Sequence, residues 1–440
     1  MCPQIETEDY TYWWTDPKPQ TILCTGIVTT KAAIMYATIA SPDSPRILFL
    51  TKVYPYPPAT AGDAVYARGV VEALSRTCRV TVLCADGGAP RGDAPVINWH
   101  VVGPQRTGRA GSVLSRWPLI AWKGATPDYA VALEQLLKQE WDAIVLDNLG
   151  TAHALPQVER YRQRHPGVRL VYVSHEYEYA TRSAKYGSYR MNPAKRLMAQ
   201  LDLEKVRRCE AALIKRSDIV TLINMADLEP FRAIASERKY LPLIPGYEGP
   251  IVRARKITAN TPRRLLLLGG RRSEQKRQIL LDWMEVSYGR LVDAGVETVI
   301  VGDMEDSLRE RLRESYPKAR VLGFVEDLGK LIASARLGVV ADTVGGGFKM
   351  RLLSHVFERL PIVGLSGAVS GLPTAQGSGY LGAETLRDLV DLVCEVIDDT
   401  DRLNRLHDTA FADCASAFSW ESRADAFAIA LSDQAESALV

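Results

Sequence analysis

The chain has 440 residues, 47% of them hydrophobic and 24% charged, with a formal net charge of +2. This composition suits a globular protein long enough for two cores and argues against a broad nucleic-acid-binding surface. The seven cysteines (Cys2, Cys24, Cys78, Cys84, Cys209, Cys394, Cys414) are scattered without a C-x-x-C pair, which suits reduced cytoplasmic thiols rather than a disulfide framework or zinc site. No window of about 18 uninterrupted apolar residues occurs. The nearest, residues 22–40, is broken by Lys31 and preceded by Glu6, Glu8 and Asp9, so neither a spanning helix nor a secretory signal is expected.

Residues 1–45 carry Trp13, Trp14 and prolines without a clear period and read as an extension outside the folded unit. Regular patterning starts at the apolar run 47–51, suited to a buried parallel strand. A proline-rich loop follows, and then Ala61, Gly62 and Asp63 open a helix with Val65, Val70, Ala73 and Leu74 on one face. Closely spaced glycines are missing from this first turn, so it is not a dinucleotide fingerprint. The pattern continues as strands 80–84 and 101–102, helix 129–139, strand 143–146, helix 151–164 and strand 170–173, which runs into His175. Strands alternating with helices predict a parallel sheet covered on both faces, with ligands beyond the carboxyl ends of its strands. Gly62, Asp147, Asn148, His175 and Glu176 stand at those ends. Asp147 and Asn148 would equally serve as helix caps, and His175 as a packed loop histidine.

A long basic helix is expected over 193–215, followed by strand 218–222. Arg190, Lys195, Arg196, Lys205, Arg207, Arg208, Lys215 and Arg216 cluster here against Asp202, Glu204 and Glu210. Loop 104–123 interleaves Arg106, Arg109, Arg116 and Lys123 with Trp117 and Trp122. Such segments are either solvated faces with internal ion pairs or contacts to an anionic membrane surface or phosphate-bearing lipid.

Prolines and polar residues between Tyr240 and Pro262 read as a linker. The boundaries expected are a first domain over 46–245, a linker over 246–262, a second domain over 263–410 and a final segment over 411–440. The second domain repeats the alternation: strand 264–268, helix 278–294, strand 298–301, helix 306–316, strand 321–322, helix 328–335, strand 337–340, strand 361–363 and helix 384–398. Residues 418–431 are amphipathic, with Trp420, Ala424, Phe427, Ala428 and Leu431 as the buried stripe. Two Rossmann-like doubly wound α/β domains would face each other across a cleft.

Two turns in the second domain suit an anion. The run GGRRSEQK from Gly269 places the planar fork of Arg271 and the mobile charge of Lys276 after the domain's first strand. Gly345, Gly346 and Gly347 follow strand 337–340 and precede Lys349, opening a helix with Phe348, Leu352, Leu353, Val356 and Phe357 on one side. Together the turns would surround a diphosphate and stabilise its charge as a leaving group. Asp399-Thr400-Asp401 has a metal-binding spacing but falls on a polar turn and reads as surface, so no metal site is expected.

The order and spacing of ILFLTKVYPYPPATAGD, VSHEYEYATR, SDIVTLINMADLEPF, Arg271-x4-Lys276, GFVEDL, GGGFKMRLLSHVFERLPIV and a late FSW resembles the retaining glycosyltransferases of family 4, which have the GT-B fold. The likeness spans residues 46–435. It implies a nucleotide-diphospho-sugar donor held by the second domain, with no further cofactor or metal. It also implies a saccharide, lipid-linked or small-molecule acceptor in the first domain, cleft closure, and a final helix near Trp420 that crosses back to the first domain. Carried onto this sequence, Arg271 and Lys276 bind the donor diphosphate with support from Lys349, Gly346 and Gly347, and Gly62 contacts it from the opposite side. Asp327 and Leu328 lie near the nucleoside base, His175 and Asp147 at the reacting centre, and Asn148, Glu176 and Arg182 toward the acceptor. The family's Glu-x7-Glu pair falls here on Gly346 and Ser354. Ser354 offers the ribose a weaker hydrogen bond than a carboxylate, and Asp342 or Glu358 would have to compensate. With retention, the diphosphate takes the acceptor's proton and His175 orients or stabilises rather than serving as obligate base.

Two other functions fit the same architecture. A non-hydrolysing sugar-nucleotide epimerase needs cleft carboxylates, which positions 346 and 354 lack, and a non-catalytic member would bind a nucleotide sugar without turnover. The expected location is the cytoplasm, with the inner membrane face as the site of any peripheral contact through the basic segments. No nucleic-acid partner is expected, and the oligomeric state is not legible.

Overall fold

The computed structural model describes residues 44–56, 62–86, 97–189, 191–342 and 348–431. Residues 1–43, Arg190 and the glycine turn with Gly346 and Gly347 lie outside the described residues. A first sheet of seven parallel strands is built from β1 (Arg46–Val53), β2 (Arg79–Asp86), β3 (Asn98–Pro104), β4 (Ala143–Asp147), β5 (Arg169–Val173), β6 (Ile219–Leu222) and β7 (Lys239–Pro242). A second sheet of six parallel strands comprises β8 (Arg264–Leu268), β9 (Glu297–Val301), β10 (Arg320–Gly323), β11 (Leu337–Val340), β12 (Ile362–Leu365) and β13 (Tyr380–Ala383). The orders are β3-β2-β1-β4-β5-β6-β7 and β10-β9-β8-β11-β12-β13.

These strands are apolar on both faces because helices cover both sides. Along β1 the side chains alternate between two cores rather than between core and water. Ile47 and Phe49 pack with Val70 and Leu74, whereas Leu48 and Leu50 pack with Tyr129 and Leu133. Leu265 and Leu267 of β8 likewise join a different cluster from Leu266 and Leu268. Each order reverses direction beside its first strand, between β1 and β4 and between β8 and β11, and connections leaving in opposite directions open a crevice at that point.

Polar caps fix where helices start. The side chains of Thr126, Asn192, Ser273, Thr385 and Asp399 each accept a first-turn backbone N–H. Ser273 starts its helix at Glu274 rather than 278, so Lys276 sits in a helical first turn and not in a loop. Asp399 was expected on a surface turn; it caps an unanticipated helix, Thr400–Cys414. Strand β13 and helix Glu178–Ser188 were also not anticipated. Loop 104–123 contains two short helices, Ala110–Leu114 and Leu119–Gly124, too brief to show a period. Tyr240–Pro242 belongs to β7 and not to a linker; as an edge strand bonded only to β6, it tolerates Pro242 at its end. The helix after β11 spans Arg351–Phe357, so it starts after Phe348 and Lys349.

Helix Trp420–Leu431 follows the second sheet in sequence but packs beneath the first. Trp420, Ala424 and Phe427 share a core with Val70 and Leu74 of helix Gly62–Leu74. Gly69 and Gly246 both lie against the Trp420 indole, where a Cβ on either would collide with the ring.

Candidate functional site

At the first sheet's switch point Asp147, the last residue of β4, is fully buried. Its Oδ2 accepts from Thr51 Oγ1 at 2.6 Å, and its Oδ1 lies 2.7 Å from His175 Nε2. Such partners are what a carboxylate needs once water is removed. The His175 ring rests edge-on against Tyr66, centroids 4.8 Å apart. Burial lowers an imidazole's pKa, but Asp147 and then Asp63 outweigh it, and His175 titrates above its ordinary value. Asp63, in the first turn of helix Gly62–Leu74, is ion-paired with Lys52. Burial opposes its ionisation, yet Lys52 and His175 hold it down to about 2. Lys52, Asp63, His175, Asp147 and Thr51 thus form a run of alternating charge ending on a hydroxyl.

The neighbouring residues divide in their use. Asn148 adopts a left-handed φ of 54° and its Oδ1 accepts from Gly150 N at 2.6 Å, so the side chain closes its own turn rather than reaching outward. Arg182 donates to Glu178 at 2.7 Å, one helical turn back. Burial, then the Glu178 carboxylate, raises the pKa of Glu176. Glu210 accepts from the backbone N–H groups of Glu178 and Tyr179 at 2.8 and 2.9 Å, capping their helix from inside the protein. Burial raises Glu210 to about 8 against the pull of the Tyr179 N–H.

At the second sheet's switch point β8 is followed by Gly269, whose φ of 122° a side chain would strain. Arg271 follows, buried, with its backbone N–H donating to Asp303 O at 2.6 Å. Its Nη1 donates to the carbonyls of Gly269 and Gly270 at 2.6 and 3.2 Å, while its buried Nε has no partner. Arg271, Lys276, Asp342 and Arg351 line one small crevice beyond β8 and β11. Arg351, the first residue of its helix, is ion-paired with Asp342. Burial, then Arg351, lowers Arg271 to about 10 and also lowers Lys276. Burial lowers Lys349, and Arg351 adds to this, while Asp342 opposes it. Arg271, Lys276 and Arg351 thus share the crevice with one carboxylate, Asp342, an excess of basic groups that an anionic ligand would relieve.

Sequence reasoning missed Arg351. Its signal was its place two residues after Lys349, but the turn's charge had been assigned to Lys349 alone. Of the expected donor residues, exposed Asp327 accepts from Gly329 N at 2.9 Å, Leu328 packs beside the Leu266 cluster, and Ser354 lies near the Tyr247 phenol. Glu358 is buried, and burial, then Asp327, raises it to about 7. The two switch points face one another. A Cβ on Gly62 would meet Met350 Cγ at 3.8 Å, Lys276 senses the charge of Asp63, and Lys349 that of Glu176.

Residues 262–399 match the family described as glycosyl transferases group 1. Anabaena HepE, solved with UDP and glucose, is 16% identical and aligns over 88% of this chain and 100% of its own, with a TM-score of 0.59. WaaG, a glycosyltransferase involved in lipopolysaccharide biosynthesis, is 14% identical over 88% of this chain and 100% of its own, with a TM-score of 0.55. The lipopolysaccharide outer core galactosyltransferase WaaB is 11% identical over 88% and 99%, with a TM-score of 0.54. None of the curated proteins matches the sequence. The chain therefore has the GT-B fold of glycosyltransferases, and its second sheet carries the match to glycosyl transferases group 1.

Proposed function

We propose that the protein transfers a sugar from a nucleotide-diphospho-sugar to a hydroxyl of a saccharide, lipid-linked or small-molecule acceptor, with retention at the anomeric carbon. The observation that carries this reading is the gathering of Arg271, Lys276 and Arg351 around Asp342 at the β8–β11 switch point, with Lys349 beside them. In this reading the cations hold the donor diphosphate in place of a metal ion and stabilise it as the anomeric C–O bond breaks. The acceptor oxygen forms the new bond from the same face, and its proton passes to a diphosphate oxygen. Protonated His175, held by Asp147, stabilises charge across the cleft rather than removing a proton. Glu176 and Arg182 border the acceptor side, and the reduced state of Cys78, Cys209, Cys394 and Cys414 suits a cytoplasmic enzyme.

Nucleotide release from UDP-, GDP- and dTDP-sugars, measured with and without acceptors and with chelator present, tests the proposal. Acceptor-dependent release that survives chelation is the expected result. Interconversion of donor sugars without release would indicate epimerisation, and binding without turnover a non-catalytic protein.

A further inference from the structure

His355 is fully buried and does not line the crevice of Arg271, Lys276, Asp342 and Arg351. It stands one turn after Arg351 in helix Arg351–Phe357, among Leu352, Leu353, Val356 and Phe357 of the core. A leucine would fill such a place at less cost, because an imidazole brings two polar nitrogens out of water. One of them is used: Nδ1 lies 2.7 Å from the Arg351 carbonyl oxygen. A carbonyl only accepts, so Nδ1 carries the proton and donates. Burial keeps the ring neutral, with its pKa down to about 4, which leaves a lone pair on Nε2. That buried Nε2 has no partner among the described residues.

Both edges of the ring bear on where Arg351 sits. Its helix has only seven residues, and Met350 at the N-cap offers no oxygen to the first-turn N–H groups. Short, uncapped helix ends fray. The imidazole gives the Arg351 carbonyl a donor besides the N–H of residue 355 that the helical pattern aims at it. The other edge rests on β11: a Cβ on Gly338 would come within 2.5 Å of His355 Cδ2 and 2.6 Å of Nε2. The ring therefore fills the gap between the strand that leads into Asp342 and the helical turn that carries Arg351. We infer that His355 is a positioning residue for Arg351: seated on Gly338 and bonded to the Arg351 carbonyl, it holds the guanidinium in the crevice, a role that rests on this crevice being the donor-diphosphate site.

Two substitutions separate positioning from packing. His355→Leu fills the space without a donor, whereas His355→Asn keeps an amide N–H near the place of Nδ1 and leaves part of the space empty. If the residue only packs, melting temperature and ligand affinity both follow volume, and the leucine variant is the better of the two in each. Positioning predicts opposite orders. His355→Leu should melt at or above the wild type, since the unpartnered Nε2 is gone, yet bind UDP, GDP or dTDP about tenfold more weakly in calorimetry. His355→Asn should melt lower yet bind within about threefold of the wild type. In an Arg351→Ala background, His355→Leu should change affinity by less than about twofold, because it acts through that side chain. Equal affinity of wild type and leucine variant would overturn the role, as would an asparagine variant that binds no better than the leucine one, or the same loss with and without Arg351. A wild type that binds none of the three nucleotides would overturn the diphosphate assignment of the crevice, and the positioning role with it.

Discussion

The same strand order produces two crevices of opposite character. Beside β1 and β4 the ionisable groups are His175 between Asp147 and Asp63, with Glu176 next to them; beside β8 and β11 they are Arg271, Lys276 and Arg351 around Asp342. At the first point each charge has an opposite neighbour, and the imidazole binds its proton more tightly because of it. At the second, cations lower one another. Topology thus places the two crevices, while the charge balance decides what each is prepared for: the first pairs its own charges, and the second gathers three basic side chains around one carboxylate.

The harshest test of that difference removes charge from the second crevice. Arg351→Ala and Lys276→Ala should each lower kcat/KM for a nucleotide-sugar by about 10²-fold, the magnitude seen when a preorganised stabiliser of developing charge is lost. Nucleoside-diphosphate affinity measured by calorimetry should fall in parallel. Changes below about twofold in both variants would mean the surplus of positive charge is not a diphosphate site.

A smaller effect is expected at the first crevice. Asp147→Asn removes the carboxylate that keeps His175 protonated, so activity should drop about tenfold and its alkaline limb move to lower pH. Stability should follow the same group. A native imidazole pKa above the unfolded value contributes stability fully below about pH 6.5, and the contribution is lost as pH rises through the native value. Urea unfolding should therefore separate wild type from variant most at low pH and least at high pH. A gap that widens with pH would place the proton elsewhere in the cluster.

The parts visible beforehand share a physical cause. β1, β8 and β11 are short apolar runs enclosed on both faces, a pattern that needs no partner to be recognised. Asp147 and His175 stood out because they lie at or just past the end of such a strand, and Arg271 and Lys276 because they come in the turn and first helical turn after one. What stayed hidden depends on contacts distant in sequence. The identity of Arg351 as a crevice residue comes from its ion pair with Asp342 across the turn. Glu210 stood in a stretch dominated by basic residues, yet its carboxyl caps a helix more than thirty residues earlier, for which the sequence showed no period. Ser354 matched the spacing of a family position, but the Tyr247 phenol that it lies near comes from a loop more than a hundred residues earlier.

The joint between the two halves can be strained without touching either crevice. Gly69 lies directly against the Trp420 indole, so Gly69→Ala forces the final helix off helix Gly62–Leu74 and should cost about 1–3 kcal/mol, an overpacking penalty. Thermal melting would show the loss. If the contrast between the crevices is local to each, donor affinity should change far less than stability. Loss of donor binding at a temperature where the variant remains folded would instead show that the second crevice depends on how the first half is held.

The smallest effect concerns the acids behind Glu176. Glu210 titrates near 8 because burial disfavours its charge, and its ordinary value is 4.5. Between those values the native state holds a proton that the unfolded chain has released, so this group's contribution is greatest at low pH and is lost as pH rises toward 8. In Glu210→Gln that loss disappears. A protonated carboxyl and an amide each offer one good acceptor oxygen, so the variant starts close to the wild type in acid. Unfolding at about pH 5, 6.5 and 8 should then show the variant gaining on the wild type as pH rises. Parallel curves would mean that Glu210 is ionised at neutral pH. The first half would then carry a buried negative charge to match the buried cations of the second, and the difference between the crevices would be one of sign alone, no longer of saturation.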